Sequence, residues 1–296
     1  MRSFRPMTLL TALASAVVLL TAPTAQAGGT VTAFYNHAYG VLDKPTADAI
    51  ENSAYLREFA NFEVRTTTGG GQTWKGRYLK GRETYLELFA AGDLPGQDAA
   101  EGSAGLAIST DRQGGYPKIV AGLRRAGVEP FEYQQTRDFG DGVPIPWFDA
   151  VFAETTYDAF GGWAMEYLPS YLADPRSKTE PAQYDGDVSR ERYLPDLYRE
   201  RLMRDITLIR FGVTAKDLDA TVPLLRAGGF KLRTLPTGII AQSDFTTIRL
   251  DRVERADAGL KQVQFRLNHP TPRHVEQIGN STLTVGPGPR AEWNFH

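Results

Sequence analysis

The sequence predicts an α+β fold: paired strand–helix–three-strand units that curl into a cup-shaped mixed sheet, with a third, degenerate unit attached. Three observations carry this reading. Phe62-Glu63-Val64-Arg65-Thr66 and Phe230-Lys231-Leu232-Arg233-Thr234 match almost place for place, each after a strand and a helix, as a duplicated unit would. Two glutamates, Glu87 within Tyr85-Leu86-Glu87-Leu88-Phe89 and Glu166 within Ala164-Met165-Glu166-Tyr167, stand among apolar neighbours on the terminal strands of successive units. An unpaired carboxylate there is costly, so each is read as a metal ligand or as a polar anchor in a cavity. A lone histidine, His37, stands in the first strand-like run, Phe34-Tyr35-Asn36-His37-Ala38-Tyr39-Gly40-Val41.

Along the chain, residues 1–27 read as a secretory signal peptide. Arg2 and Arg5 form the positive start, residues 8–20 the apolar core, and Ala25-Gln26-Ala27 the small-residue cleavage site before Gly28. Removing 27 of 296 residues leaves 269 in an exported, periplasmic or secreted, bacterial-type protein with no membrane attachment after cleavage. A paired domain is expected over 28–170, with units at 31–97 and 103–170. In the first unit a strand at 31–41 leads through Asp43-Lys44-Pro45-Thr46 into one helix, since Pro suits a first helical turn. Residues 62–66 alternate like a half-buried strand, Gly69-Gly70-Gly71 turn the chain, and a hairpin covers 73–79 and 83–90. The second unit has a strand from Gly105, a helix over 116–125 that stops at Gly127, and strands near 130–136, 145–154 and 162–168.

A polar, tyrosine-rich connector spans 171–204, with a short helix expected around 190–203. The third unit, 205–279, has a strand at 206–213 and a helix over 215–226 ending at Gly228-Gly229. Residues 280–296, rich in Gly and Pro, are expected to be a surface arm. A strand–helix–three-strand unit leaves one sheet face uncovered, so two units side by side enclose a cup suited to a ligand. The unpaired third unit makes a homodimer plausible.

Composition narrows the function. The chain has 33 basic and 35 acidic side chains, or 31 and 35 without Arg2 and Arg5, with no basic stripe, which argues against nucleic acid. Zero cysteines remove disulfides, thiolate nucleophiles and sulfur-ligated metals together. No phosphate-binding loop, dinucleotide fingerprint or glycine-framed nucleophilic serine is present.

Asn36-His37-Ala38-Tyr39-Gly40-Val41 resembles the first strand of the glyoxalase/bleomycin-resistance/extradiol-dioxygenase group, the vicinal oxygen chelate superfamily. Thr84-Tyr85-Leu86-Glu87-Leu88-Phe89 resembles its terminal strand. Residues 105–111, Leu123-Arg124-Arg125-Ala126-Gly127-Val128, Pro146-Trp147-Phe148 and Met165-Glu166-Tyr167 follow the same order in the second unit. The likeness covers about 31–170 and, more weakly, 205–268. It implies metal ligands from the first and last strands of paired units: His37 and Glu87 in the first, and Glu166 in the second, where Gly105 or Ala107 stands at the histidine position. In the third unit Ile209 or Arg210 falls near the histidine position, and Arg249 or Asp251 near the glutamate.

One imidazole and two carboxylates would suit a single divalent ion, Zn, Ni, Mn, Fe or Co, without choosing among them. The plain alternative is a hydrogen-bonded His37 and glutamates paired with Arg65, Arg77 or Arg82. Trp147 and Trp163 are the expected pocket-lining aromatics, ahead of Trp74, Phe148 and Tyr167. Asp111 reads as a helix N-cap, and His269, His274 and His296 as surface residues. The leading reading is an exported glyoxalase-like protein that binds a small oxygenated metabolite, with isomerase, lyase or oxygenase chemistry if it is catalytic. The alternative is a metal-free protein that binds or sequesters a small molecule, as in the bleomycin-resistance branch. A third reading is a structural protein whose cup is filled by its own side chains.

Overall fold

A computed structural model describes residues 33–296; the expected signal peptide lies outside the described residues. The first unit runs β1 (Phe34–Leu42), α1 (Lys44–Asn52), α2 (Ala54–Phe59), β2 (Asn61–Gly69), β3 (Gln72–Lys80) and β4 (Tyr85–Ala90). The single helix expected here is two. Asp43 caps α1 by accepting from Thr46 N at 2.9 Å, while Ser53 ends α1 and caps α2 through Leu56 N at 3.1 Å. The second unit runs β5 (Ala104–Ser109), α3 (Tyr116–Arg125), β6 (Phe131–Arg137), β7 (Ile145–Phe152) and β8 (Phe160–Tyr167). Gly127, at φ 78°, lets the chain leave α3.

The connector carries α4 (Pro169–Ala173) and α5 (Arg190–Tyr193). The latter is one turn rather than the longer helix expected, because Pro195 holds Leu194 in an extended conformation. The third unit follows as β9 (Met203–Val213), α6 (Ala215–Ala227), β10 (Lys231–Leu235), β11 (Gly238–Ser243) and β12 (Thr246–Arg252). The chain continues as β13 (Gly259–Thr271), β14 (His274–Ile278), β15 (Ser281–Val285) and β16 (Gly288–Phe295). The expected arm at 280–296 is therefore two paired strands. Thr282, Thr284 and Asn294 alternate with buried Leu283, Val285 and Trp293, a period-two pattern that outweighs the flanking glycines and prolines.

The strands form two eight-stranded sheets with the same topology: β2-β3-β4-β1-β5-β8-β7-β6 and β10-β11-β12-β9-β13-β16-β15-β14. Strands β13–β16 are thus a fourth unit that lacks its helix. Helices α1, α2, α3 and α6 lie between the sheets, and one continuous apolar core joins them. Helices α1 and α2 cover the unit that has none: Phe59 packs edge-to-face on Phe265 at 5.4 Å, and Thr46 meets Gly279. Each fully buried ring contributes about 1.5–3 kcal/mol. Helix α6 packs on β8 as well as on its own strands, with Thr221 and Leu224 against Gly162. Among the described residues no helix is long and apolar enough to cross a membrane.

Arg190, fully buried in α5, ties these parts together. Its guanidinium donates to Asp111 at 3.0 Å twice, to Tyr35 O at 2.8 Å and to Glu83 at 3.2 Å. Asp244, in the β11–β12 turn, stands 3.8 Å away, and the Phe34 ring lies under the guanidinium at 4.5 Å. Asp111 is therefore an ion-pair partner of the connector rather than a helix cap. Replacing Arg190 by Met removes the buried cation and leaves the half-buried Asp111 and Glu83 carboxylates unpaired, so the expected loss is about 2–4 kcal/mol of unfolding free energy. Urea denaturation of the two proteins measures it, and a loss under about 1 kcal/mol would show that Arg190 is not the tie described.

Candidate functional site

The cup is the face of the first sheet that the helices leave uncovered. Strand alternation assigns its wall: His37, Tyr39 and Val41 on β1, Tyr85, Glu87 and Phe89 on β4, and Trp163, Met165 and Tyr167 on β8. The outer strands meet across the top, where Asp138 N donates to Thr68 O at 3.0 Å and Gly70 N to Thr136 Oγ1 at 3.2 Å. The cavity so enclosed measures about 310 Å³. Trp147 and Trp163 both lie on its wall, together with Trp74, Phe89, Phe148 and Phe152.

His37 and Glu87 come together on the floor, with Nε2 4.0 Å from Oε1. A β-bulge between Tyr35 and His37 sets Asn36 beside the imidazole. The Asn36 amide donates to Ser109 Oγ at 2.8 Å, so its Oδ1 accepts from His37 Nδ1–H at 2.7 Å. Nε2 is left as a bare acceptor facing the cavity. Tyr85 stacks on the ring at 4.4 Å and Trp163 meets it edge-on at 5.3 Å. Burial lowers the His37 pKa to about 3, so the imidazole is neutral. Burial pushes the Glu87 pKa up to about 7, against the pull of Arg65 and Lys80 farther along the same sheet face.

Glu166 is not brought to this pair. It sits one residue out of phase with the cup-facing side chains of β8, and a shift of one turns a side chain to the other face. Its carboxylate instead anchors the start of α3, accepting from Thr110 Oγ1 at 2.8 Å and from Gly114, Gly115 and Tyr116 N at 2.9, 2.9 and 2.8 Å. Counted from the seam pair Ala38↔Leu106, the place that Glu87 holds beside Tyr39 is held by Trp163 beside Ala107. Among the described residues no three His, Cys, Asp or Glu side chains are grouped to hold an ion. The donors present, one imidazole and one carboxyl, do not fit the three-ligand centre that the resemblance implies.

Several residues of the site had no signal of their own in the sequence. At the rim, Asp98 accepts from Tyr39 OH at 2.6 Å and Tyr157 OH at 2.8 Å. At the inner end, the connector inserts Tyr193, which stacks on Tyr167 at 4.1 Å and faces Tyr85 at 6.2 Å. The connector's tyrosines were visible, but only tertiary contacts select Tyr193. On the second sheet Arg210 and Asp251 hold the places of His37 and Glu87 and form a 2.5 Å ion pair. His269, His274 and His296 are exposed, and His274 stacks on Tyr55 at 4.4 Å.

No curated protein matches the chain. A hypothetical protein from Staphylococcus aureus has a similar fold, with TM-score 0.55 and 9% identity over 86% of this chain and 99% of that one. A mutant of 4-hydroxymandelate synthase from Streptomyces coelicolor aligns with TM-score 0.39 and 12% identity over 86% and 88%. A fusion protein of a xylose isomerase-like TIM barrel with 4-hydroxyphenylpyruvate dioxygenase aligns with TM-score 0.37 and 15% identity over 74% and 32%. A family profile matches residues 35–295, which takes in both sheets, and the chain belongs to that family, the family of unknown function DUF5829.

Proposed function

We propose that the cup binds a small, flat, oxygen-bearing molecule between its aromatic walls, with His37 and Glu87 as the polar anchors and no resident metal. The observation that carries the reading is Glu87. Its side chain is 17% exposed, all but closed in by rings, and among the described residues it has no hydrogen-bond partner. A carboxyl so placed carries a desolvation cost of about 1–3 kcal/mol, which a bound polar group would relieve.

The two anchors differ in what they offer. His37 Nε2 accepts a hydrogen bond, whereas Glu87, with a pKa of about 7, is half protonated at neutral pH and either donates or accepts. A hydroxyl next to a carbonyl complements them: the hydroxyl donates to Nε2 and the carbonyl accepts from protonated Glu87. A carboxyl poised near neutral pH also suits proton transfer beside a carbonyl, so isomerisation is the reaction this floor supports best.

Glu87→Gln keeps the shape and removes the proton exchange. We expect it to weaken binding of an aromatic α-hydroxy ketone by about tenfold or more, the scale of one hydrogen bond to a charged group. Trp163→Ala, which removes about 1–3 kcal/mol of ring burial, should weaken the same ligand by about tenfold to a hundredfold. Calorimetric titration of a panel of such compounds reads both. Equal affinity in wild type and both variants would remove the cup as the site, and stoichiometric metal in elemental analysis of untagged protein would overturn the metal-free reading.

The pH dependence of stability has a definite sign. The Glu87 pKa is raised from 4.5 to about 7 in the folded protein, so its contribution is complete below pH 4.5 and is lost as pH rises through 7. Glu87→Gln should therefore gain on wild type above pH 7, by up to about 3 kcal/mol. His37, lowered from 6.5 to about 3, acts oppositely, contributing above pH 6.5 and losing that as pH falls. It is present in both proteins and cancels. Chemical denaturation at pH 5 and pH 8.5 tests the difference, and a pH-independent gap between the two proteins would contradict it.

A further inference from the structure

On the same sheet face as the cup, on the far side of the Tyr85 and Tyr193 rings, lies a second recess of about 270 Å³ between β2, β3, β6 and the connector. Its charge is lopsided. Arg65, Lys80, Arg137, Arg176 and Lys178 line it, with Glu63 as the one carboxylate on the wall among the described residues. Glu63 is shared by two of these cations, accepting from Lys80 and from Arg65 at 3.3 Å. Arg176 is neutralised by Asp174 at 2.8 Å and Asp141 at 2.5 Å.

That leaves an excess of positive charge. Among the described residues Arg137 and Lys178 make no ion pair. Arg137 is half-buried and positioned without a carboxylate: Nη1 donates to Tyr171 OH at 2.6 Å, and the guanidinium lies over Phe139 at 4.7 Å and Trp147 at 5.3 Å. One face of a rigid guanidinium is thereby fixed while its remaining N–H groups are left for another acceptor. Arg65 is likewise held in place over Tyr78, at 4.6 Å, and Lys80 is 15% exposed. Three half-buried cations facing one carboxylate are unfavourable unless a further anion joins them.

We propose that this recess is a binding site for a small oxyanion, a phosphate or a carboxylate group, held by Arg65, Lys80 and Arg137 with Lys178 at the mouth. Guanidinium forks match the oxygens of both groups, and the volume admits an anion of a few heavy atoms. The proposal does not depend on what binds in the cup.

The test is calorimetric titration of the full chain with inorganic phosphate and, separately, with succinate, at constant ionic strength. Saturable one-site binding of either is expected, and the tighter of the two identifies the oxyanion class. Arg137→Gln should weaken it by about tenfold to a hundredfold, the scale of one lost charge-assisted hydrogen bond. Lys178→Gln changes an exposed side chain, should fold normally and should weaken binding by a smaller factor, so it carries the test if Arg137→Gln does not fold. Arg252→Gln, an exposed change on the second sheet, should leave affinity unchanged. Absence of saturable binding for both anions, or wild-type affinity in both recess variants, would overturn the proposal.

Discussion

The buried guanidinium of Arg190 is the interaction on which the rest of the architecture depends. Taking a charge out of water costs several kcal/mol, and only several well-placed acceptors offset it. Asp111, Glu83 and the Tyr35 carbonyl supply them, and they come from the second unit, the β3–β4 turn and the first strand. The residue that must be neutralised is therefore also the one that fixes the connector against both halves of the cup. Three residues on, Tyr193 enters the inner end of that cup and completes an aromatic stack with Tyr167. The cup is divided as a result, with aromatic walls around His37 and Glu87 on one side and a basic recess on the other.

Other carboxylates act in the same way at the ends of strands and helices. Asp217, fully buried, accepts from Asp158, Ala159 and Phe160 N, and so pins the start of β8 to α6. Asp205 accepts from Glu83 N, Thr84 N and Thr84 Oγ1, which docks the β3–β4 turn on β9. Each replaces water around an anion with oriented N–H donors at fixed positions, so the charge holds a loop rather than serving a ligand. Glu166 belongs with these. Glu87 does not, because it has no such donors.

That contrast marks how far the sequence was legible. The unit pattern, the strand positions and the convergence of His37 with Glu87 follow from alternation and from the repeated segment, which are local signals. Glu166 has the same kind of apolar neighbours as Glu87, yet local context cannot reveal phase: Ala164 beneath α3 and Met165 in the cup differ by one residue, and so do the fates of Glu87 and Glu166. The fourth unit was hidden for another reason. Its helix is absent, replaced by α1 and α2 from the far end of the chain, and no periodicity in residues 259–296 can show a cover supplied from elsewhere. Asn36, Asp98 and Tyr193 escaped notice because their roles are set by partners tens of residues away.

The two cavities share a wall, and their electrostatics are coupled through it. Burial in the aromatic cup raises the Glu87 pKa, and Arg65 and Lys80, in the basic recess, oppose that rise. Those two cations are in turn held by Glu63. An anion entering the recess would neutralise part of that field without touching Glu87, leaving burial less opposed and the carboxyl more fully protonated. The second sheet illustrates the same physics with the opposite solution. Arg210 pairs directly with Asp251 at the matching positions, and each charge finds its counter-charge within the sheet. In the first sheet Arg65 and Lys80 lie on the same face as Glu87 but pair with Glu63 beyond the Tyr85 ring, and this displacement leaves Glu87 open to a ligand.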